Sequence, residues 1–248
     1  MTYEELIARA AADPHVVGAV LSGSRGRGPF ARDDSDWDVR LVFADDTPVE
    51  HARSFATPHG SPVEVATMSL AQFGADATDT ELAWDRYSYV HATLALDKLE
   101  GRIAELLAAR QTLPTAVAPR IAAAALDDYI NSYFRALKNA GLGLELESHL
   151  DAGESISPLL TTIFAIHGRV RPFNKFLAWE LREHPLPGDE WSADRLLPRL
   201  SAILATGAID EQAALFRDVE RLAREHGHGV VVDGWEPDVP RLRSGRRT

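Results

Sequence analysis

The sequence predicts an α+β chain in which a small mixed-sheet domain precedes an all-helical one, and three observations carry that expectation. Short β-forming runs separated by turn signals cluster in roughly the first hundred residues and nearly vanish beyond them. Long apolar patterns at helical spacing fill most of the remaining chain. Between the two, Thr112-Leu113-Pro114-Thr115 and Pro119 read as a linker. The expected division is a sheet domain over 1–112, a helical domain over 113–240 and a solvated, flexible tail over 241–248 with four arginines. A length of 248 residues accommodates either one large unit or two of about 100–130 residues.

Each element has its own signal. Leu6, Ile7 and Ala10 recur at helical spacing within Tyr3–Ala12, and Asp13-Pro14 ends that helix. Val16–Leu21 is a short apolar run that reads as a buried strand. A glycine-rich loop comes next, Ser22-Gly23-Ser24-Arg25-Gly26-Arg27-Gly28, and then Trp37–Phe43, an alternating strand. Pro62–Met68 is another short strand, leading into a brief helix from about Ser69. Periodicity leaves Arg86–Leu96 open between strand and helix, and makes Leu99–Arg110 helical. Helical patterns then cover about Pro119–Leu146, Glu154–His167, Pro172–Glu183, Ala193–Ala205 and Ile209–His226, with one late strand signal at Gly229–Val232.

Composition excludes several classes. Apolar residues make up 45% and charged residues 25% of the chain, the balance of a globular protein rather than a disordered one. The formal net charge is −11, which argues against a general nucleic-acid binder, because such binding runs on Lys and Arg neutralising phosphates. There is no cysteine, hence no disulfide, thiolate metal site or thiol nucleophile. No apolar run reaches the ~20 residues that span a bilayer. Met1–Ala10 carries two glutamates where a secretory signal would be basic, so a cytoplasmic protein is expected.

The chemistry is concentrated in Leu21–Phe43. Gly23 lets backbone approach a bulky anion, and the Ser24 hydroxyl is a further donor, with a plain helix N-cap as its alternative role. Arg25 and Arg27 offer charge to phosphate oxygens. Ser35-Asp36-Trp37-Asp38 then opens a strand, and alternation puts Asp36 and Asp38 on one face, with Trp37, Val39, Leu41 and Phe43 on the other. Two carboxylates ~7 Å apart along a strand repel each other when bare and suit a hard divalent cation between them. A phosphate cradle and a cation clamp, a short loop apart, describe a site for a nucleoside triphosphate with magnesium. The alternative is a solvated acidic turn, since Asp33-Asp34-Ser35-Asp36 is polar throughout.

Gly23-Ser24 followed by Asp36-x-Asp38 resembles the signature of the polymerase-beta-type nucleotidyltransferase superfamily, over about residues 16–68. Within it the chain looks most similar to small bacterial nucleotidyltransferases that modify aminoglycosides or lincosamides and carry a helical C-terminal domain. The resemblance implies a third metal-binding carboxylate from a later strand, matched by Glu64 in Pro62-Val63-Glu64-Val65-Ala66. It implies two magnesium ions on Asp36, Asp38 and Glu64, ATP or another nucleoside triphosphate as co-substrate, and transfer of a nucleoside monophosphate to a hydroxyl. Asp85 and Glu154 are the candidate general bases. Arg171-Pro172-Phe173-Asn174-Lys175 resembles the start of a helix whose lysine reaches the triphosphate, which makes Lys175 a candidate phosphate ligand beside Gly23, Ser24 and Arg25.

The acceptor is less constrained. Acidic balance favours a small cationic molecule such as an aminoglycoside. Transfer to a protein side chain or tRNA, or a non-catalytic nucleotide-sensing module, are the alternatives. Asp128, Asn131, Arg135 and Lys138 form one polar stripe on a helix, either a solvated face or the wall of a substrate cleft. Tyr87 and Tyr89 are candidate stacking residues, and the scattered histidines carry no ligand pattern.

Overall fold

A computed structural model describes residues 1–75 and 85–246. The chain divides into two compact units, Met1–Thr112 and Leu113–Thr248. Among the described residues no helix is long and apolar enough to cross a membrane.

The first unit is built on four strands. Helix α1 (Tyr3–Ala12) starts in a capping box, with the Thr2 hydroxyl accepting from the Glu5 amide and the Glu5 carboxylate accepting from the Thr2 amide. Strands β1 (Val16–Leu21), β2 (Trp37–Phe43), β3 (Val63–Ser69) and β4 (Thr93–Asp97) form one mixed sheet in the order β3-β2-β1-β4. β1 runs antiparallel to β2 and to β4, whereas β2 and β3 are parallel. The parallel pair needs a crossover, which helix α2 (Val49–Arg53) and the turns around it supply.

Both faces of the sheet are covered. Val39, Leu41 and Phe43 pack with Leu6 and Ala10 of α1 and with Phe55. Val20 and Val42, of opposite parity, pack with Phe73 of helix α3 (Leu70–Gly74) and with Ile103 and Leu107 of helix α4 (Arg102–Arg110). Strand β1 is central and sealed on both sides, which is why it reads as an unbroken apolar run. Gly18 is required at its middle, since a Cβ there would fall 2.7 Å from the Ile103 side chain. Two buried or half-buried arginines close helix ends in this unit. Arg86 donates to the carbonyls of Ala109 and Thr112 at the end of α4, and Arg110 to those of Gln72, Phe73 and Ala75 at the end of α3.

The second unit is helical: α5 (Ala118–Gly141), α6 (Glu145–Ile166), α7 (Leu177–Glu183), α8 (Ala193–Thr206), α9 (Ile209–Glu225), α10 (Gly229–Asp233) and α11 (Val239–Ser244). One apolar core joins them, with Trp191, Tyr133, Phe164 and Phe216 fully buried in it.

Several expectations are corrected. Arg86–Leu96 divides into a 3-10 turn over Asp85–Ser88 and strand β4. The helix expected to run from Pro119 to Leu146 stops at Gly141, and α6 begins at Glu145 and passes through Gly153. Glu154 therefore lies in mid-helix rather than at a helix start. Packing against α5, through buried Asp151, Ala152 and Ser155, outweighs the low helix propensity of glycine. Gly229–Val232, read as a strand, is helical: among the described residues its unit has no sheet edge to pair with, and it closes on α9 instead.

The tail also differs from expectation. Residues 241–244 belong to α11, and Leu242 is fully buried. Arg243 closes on Glu220 of α9 with contacts of 2.5 and 2.7 Å, and Arg224 reaches the same carboxylate at 2.9 Å. Arg243 and then Arg224 hold the Glu220 carboxyl below its ordinary range, against its burial. A lowered carboxylate contributes stability above its unfolded pKa of ~4.3 and loses it as pH falls through the folded value. Glu220→Gln is expected to cost about 1–3 kcal/mol at neutral pH and to flatten the acid limb of stability, which thermal melts across that range would check.

Candidate active site

The register of the parallel pair makes the site. Asp38 of β2 stands directly opposite Glu64 of β3, so both side chains leave the same face of the sheet as immediate neighbours. Asp36 precedes β2 and returns to that face, because Trp37 between them points into the opposite layer, stacked on Tyr3 at 4.1 Å between ring centroids. One carboxylate oxygen from each of Asp36, Asp38 and Glu64 lies within 4.8 Å of the other two. Asp36 is exposed and the other two are half-buried, so the cluster sits at the rim of the sheet, open to solvent.

Its electrostatics are those of crowded acids. Burial raises the Asp38 carboxyl above its ordinary value, and the charges of Asp36 and Glu64 push it further, while Arg40 and Arg27 oppose them. Glu64 is lowered instead, first by the Gly60 amide and then by the His59 ring. Both contacts fall on Oε1, with His59 at 2.8 Å. The loop between α2 and β3 thus fixes the third carboxylate, and neither His59 nor Gly60 carries a sequence pattern that announces the role.

The glycine-serine turn is fitted to the same cluster. Ser22 donates to the Asp38 carbonyl through its amide at 2.9 Å and its hydroxyl at 3.2 Å, which brings β1 alongside the acidic strand as it ends. Gly23 comes next at φ +65°, and a Cβ there would lie 1.6 Å from Asp38 Oδ2. Only glycine leaves room for that carboxylate. Ser24 is buried and makes no side-chain capping bond to the 3-10 turn over Arg25–Phe30, so the plain N-cap role is not what holds it there.

The two loop arginines have structural partners. Arg25 donates to the carbonyls of Ser35 and Asp33 and lies 4.3 Å over the Trp37 ring, which ties the loop to the start of β2. It borders an open cleft of about 550 Å³ shared with Asp34, Asp36, Trp37 and Gly60. Arg27, expected as a secondary phosphate contact, is buried and donates to the carbonyls of Gly23, Tyr87 and Val90. It staples the glycine-rich turn to the segment before β4. Arg27→Met leaves those three carbonyls short of a charged donor, and a loss of about 3 kcal/mol in urea unfolding is expected.

The Asp85 side chain lies outside the described residues. Tyr87 and Tyr89 are buried, Tyr87 against Arg27 and Tyr89 against Phe73, so neither ring stands exposed as a stacking platform. Asp128, Asn131, Arg135, Glu154 and Lys175 belong to the second unit and are exposed there. Arg135 pairs at 2.9 Å with Asp151, which also accepts from Asn139 at 2.7 Å, so part of the polar stripe joins α5 to α6. Lys175 lies in a 3-10 turn, Asn174–Phe176, ahead of α7, so the helix expected from Pro172 starts later. Phe173 is extended, so the chain after Pro172 enters the turn before it can propagate a helix.

No protein-family model and no curated protein matches the chain. Among solved structures, it is similar to a nucleotidyltransferase-like protein from Exiguobacterium sibiricum 255-15. The two share 12% identity over 88% of this chain and 78% of that one, with a TM-score of 0.42.

Proposed function

We propose that the chain is a divalent-cation-dependent nucleotidyltransferase that moves a nucleoside monophosphate, AMP from ATP in the first instance, onto a hydroxyl of a small acceptor. The observation that carries the reading is the register of Asp38 against Glu64, with Asp36 closing the triangle and Gly23 shaped around the Asp38 carboxylate. Three crowded carboxylates, one of them raised by burial and by its neighbours, are a donor set of the hard, oxygen-only kind that magnesium takes. The residues therefore fit the ion.

Asp36 and Asp38 would hold two ions, with Glu64 on the one nearer the attacking hydroxyl. Magnesium bound there would neutralise charge on the α-phosphate and activate the hydroxyl oxygen for in-line displacement of pyrophosphate. The protein's own contribution is placement. Gly23 admits the triphosphate close to backbone, and Ser24 donates to it. Gly60 and His59 hold Glu64 through Oε1 and so fix its carboxylate within reach of the aspartates. The cationic-acceptor reading rests on net charge and on the acidic loop Asp33-Asp34-Ser35-Asp36 beside the site.

The test is an acceptor screen. Purified protein, labelled ATP and magnesium are incubated with a panel of aminoglycosides and lincosamides and with tRNA, and products are read by mass. AMP added to one small hydroxyl compound supports the reading. Label found only on tRNA or on the protein reverses the acceptor, and nucleotide binding that ignores magnesium favours a sensing module.

A further inference from the structure

Arg40 stands on β2 one pleat inward of Asp38 and shares its face of the sheet, paired with Val20 and Ala66. Val20 is fully buried, Ala66 is exposed and Arg40 itself is half-buried, so the guanidinium sits at the edge of the apolar layer. It donates to Ser22 Oγ at 2.7 Å and Ser88 Oγ at 3.2 Å, and lies 4.8 Å over the Tyr89 ring. Ser22 Oγ in turn donates to the Asp38 carbonyl. Among the described residues Arg40 has no carboxylate within ion-pair distance, so its charge is neutralised by no direct partner. The nearest acids on its own face are Asp38, one pleat outward on the same strand, and Glu64 in register with Asp38, so the acid cluster is the nearest use for that charge.

We propose that Arg40 is a built-in counter-cation of the Asp36–Asp38–Glu64 cluster, a positioning residue that stabilises the metal-free site and weakens its hold on a divalent cation. The inference rests on the metal-site reading above and adds a regulator of affinity to it. Two serines and an aromatic ring hold the guanidinium on the carboxylates' side of the sheet but outside ion-pair distance of them, so it offsets their charge and leaves the ligand oxygens free. When the cation arrives, part of that compensation becomes repulsion. The protein thus trades cation affinity for a cluster that tolerates being empty.

The test reads Mn2+ binding by electron paramagnetic resonance and thermal melting in chelator and in saturating Mn2+, for wild type, Arg40→Gln, Arg40→Lys and Arg40→Gln combined with Asp38→Asn. Arg40→Gln should melt lower in chelator, recover in Mn2+, and bind Mn2+ roughly five- to tenfold more tightly. Arg40→Lys should keep the wild-type affinity. Removing the Asp38 charge should shrink the cost of Arg40→Gln in chelator, the signature of coupling between the two sites. Should Arg40→Gln alone fail to fold, the double variant must fold, or the proposal falls. Equal losses with and without Mn2+ at unchanged affinity would show a packing role only and overturn it. If wild type takes up no Mn2+, the metal reading fails by itself. The chelator melts then decide Arg40: coupling to Asp38 with rescue by lysine keeps the counter-cation, and their absence removes it.

Discussion

Asp38→Asn is expected to abolish nucleotidyl transfer while leaving the fold intact, or more stable. Asp38 is the shared member of the carboxylate cluster, in register with Glu64 and two residues from Asp36. An asparagine keeps the shape and loses the charge that would hold a cation. A bound cation contributes several kcal/mol to such a transition state, and ~4 kcal/mol corresponds to roughly a 10³-fold loss in rate. The stability arm runs the other way. The Asp38 carboxyl is raised by burial and by its acidic neighbours, so its ionised form opposes folding of the metal-free protein. That opposition is present above the folded pKa and vanishes below the unfolded one, near ~3.9. The Asp38→Asn variant therefore matches or exceeds wild type in neutral melts without metal, and the difference closes in acid. Transfer assays paired with melts in chelator check both arms. Full activity in this variant would sink the assignment of the site.

Gly23→Ala is expected to disable the site nearly as thoroughly by a different route. The added methyl would lie 1.6 Å from Asp38 Oδ2, and the residue sits at φ +65°, which costs a side chain about 1 kcal/mol or more before any contact is counted. The cheapest relief is to turn the Asp38 carboxylate out of the cluster. Loss of transfer on the order of 10²-fold is expected, since about 1 Å of misplacement has that effect. Mn2+ affinity should fall with it, and melting should drop modestly. The pattern separates this variant from Arg27→Met, which lowers stability through the loop staple while leaving the three carboxylates in place. Retained Mn2+ affinity in Gly23→Ala would mean that the turn, not the carboxylate, gives way.

The two largest effects trace to residues whose positions local pattern already marks. Alternation in Trp37–Phe43 puts Asp38 on one face and Val39, Leu41 and Phe43 on the other, and the sheet keeps that division. By the same parity Arg40 belongs beside Asp38, so a basic residue on the acidic face is legible from alternation, although alternation alone does not say what it contacts. The arginines of the glycine-rich loop show the converse. Arg27 has the local surroundings of a mobile surface charge, and its acceptors, Tyr87 and Val90, are sixty residues and more away in the chain. Short-range pattern has no access to such partners.

The sequence by itself determined the α+β character, the strands β1 to β3, the helical second half, and the glycine-serine turn and aspartate pair, because alternation, helical spacing and turn chemistry act over a few residues. Tertiary structure alone decided that β2 and β3 pair in parallel with Asp38 opposite Glu64, that His59 and Gly60 hold the third carboxylate, that Gly229–Val232 is helical, and that the last helix is clamped on Glu220. Each of these depends on what packs against the segment from far along the chain. Strand register, burial and ion pairing are set by the whole fold rather than by the residues that carry them.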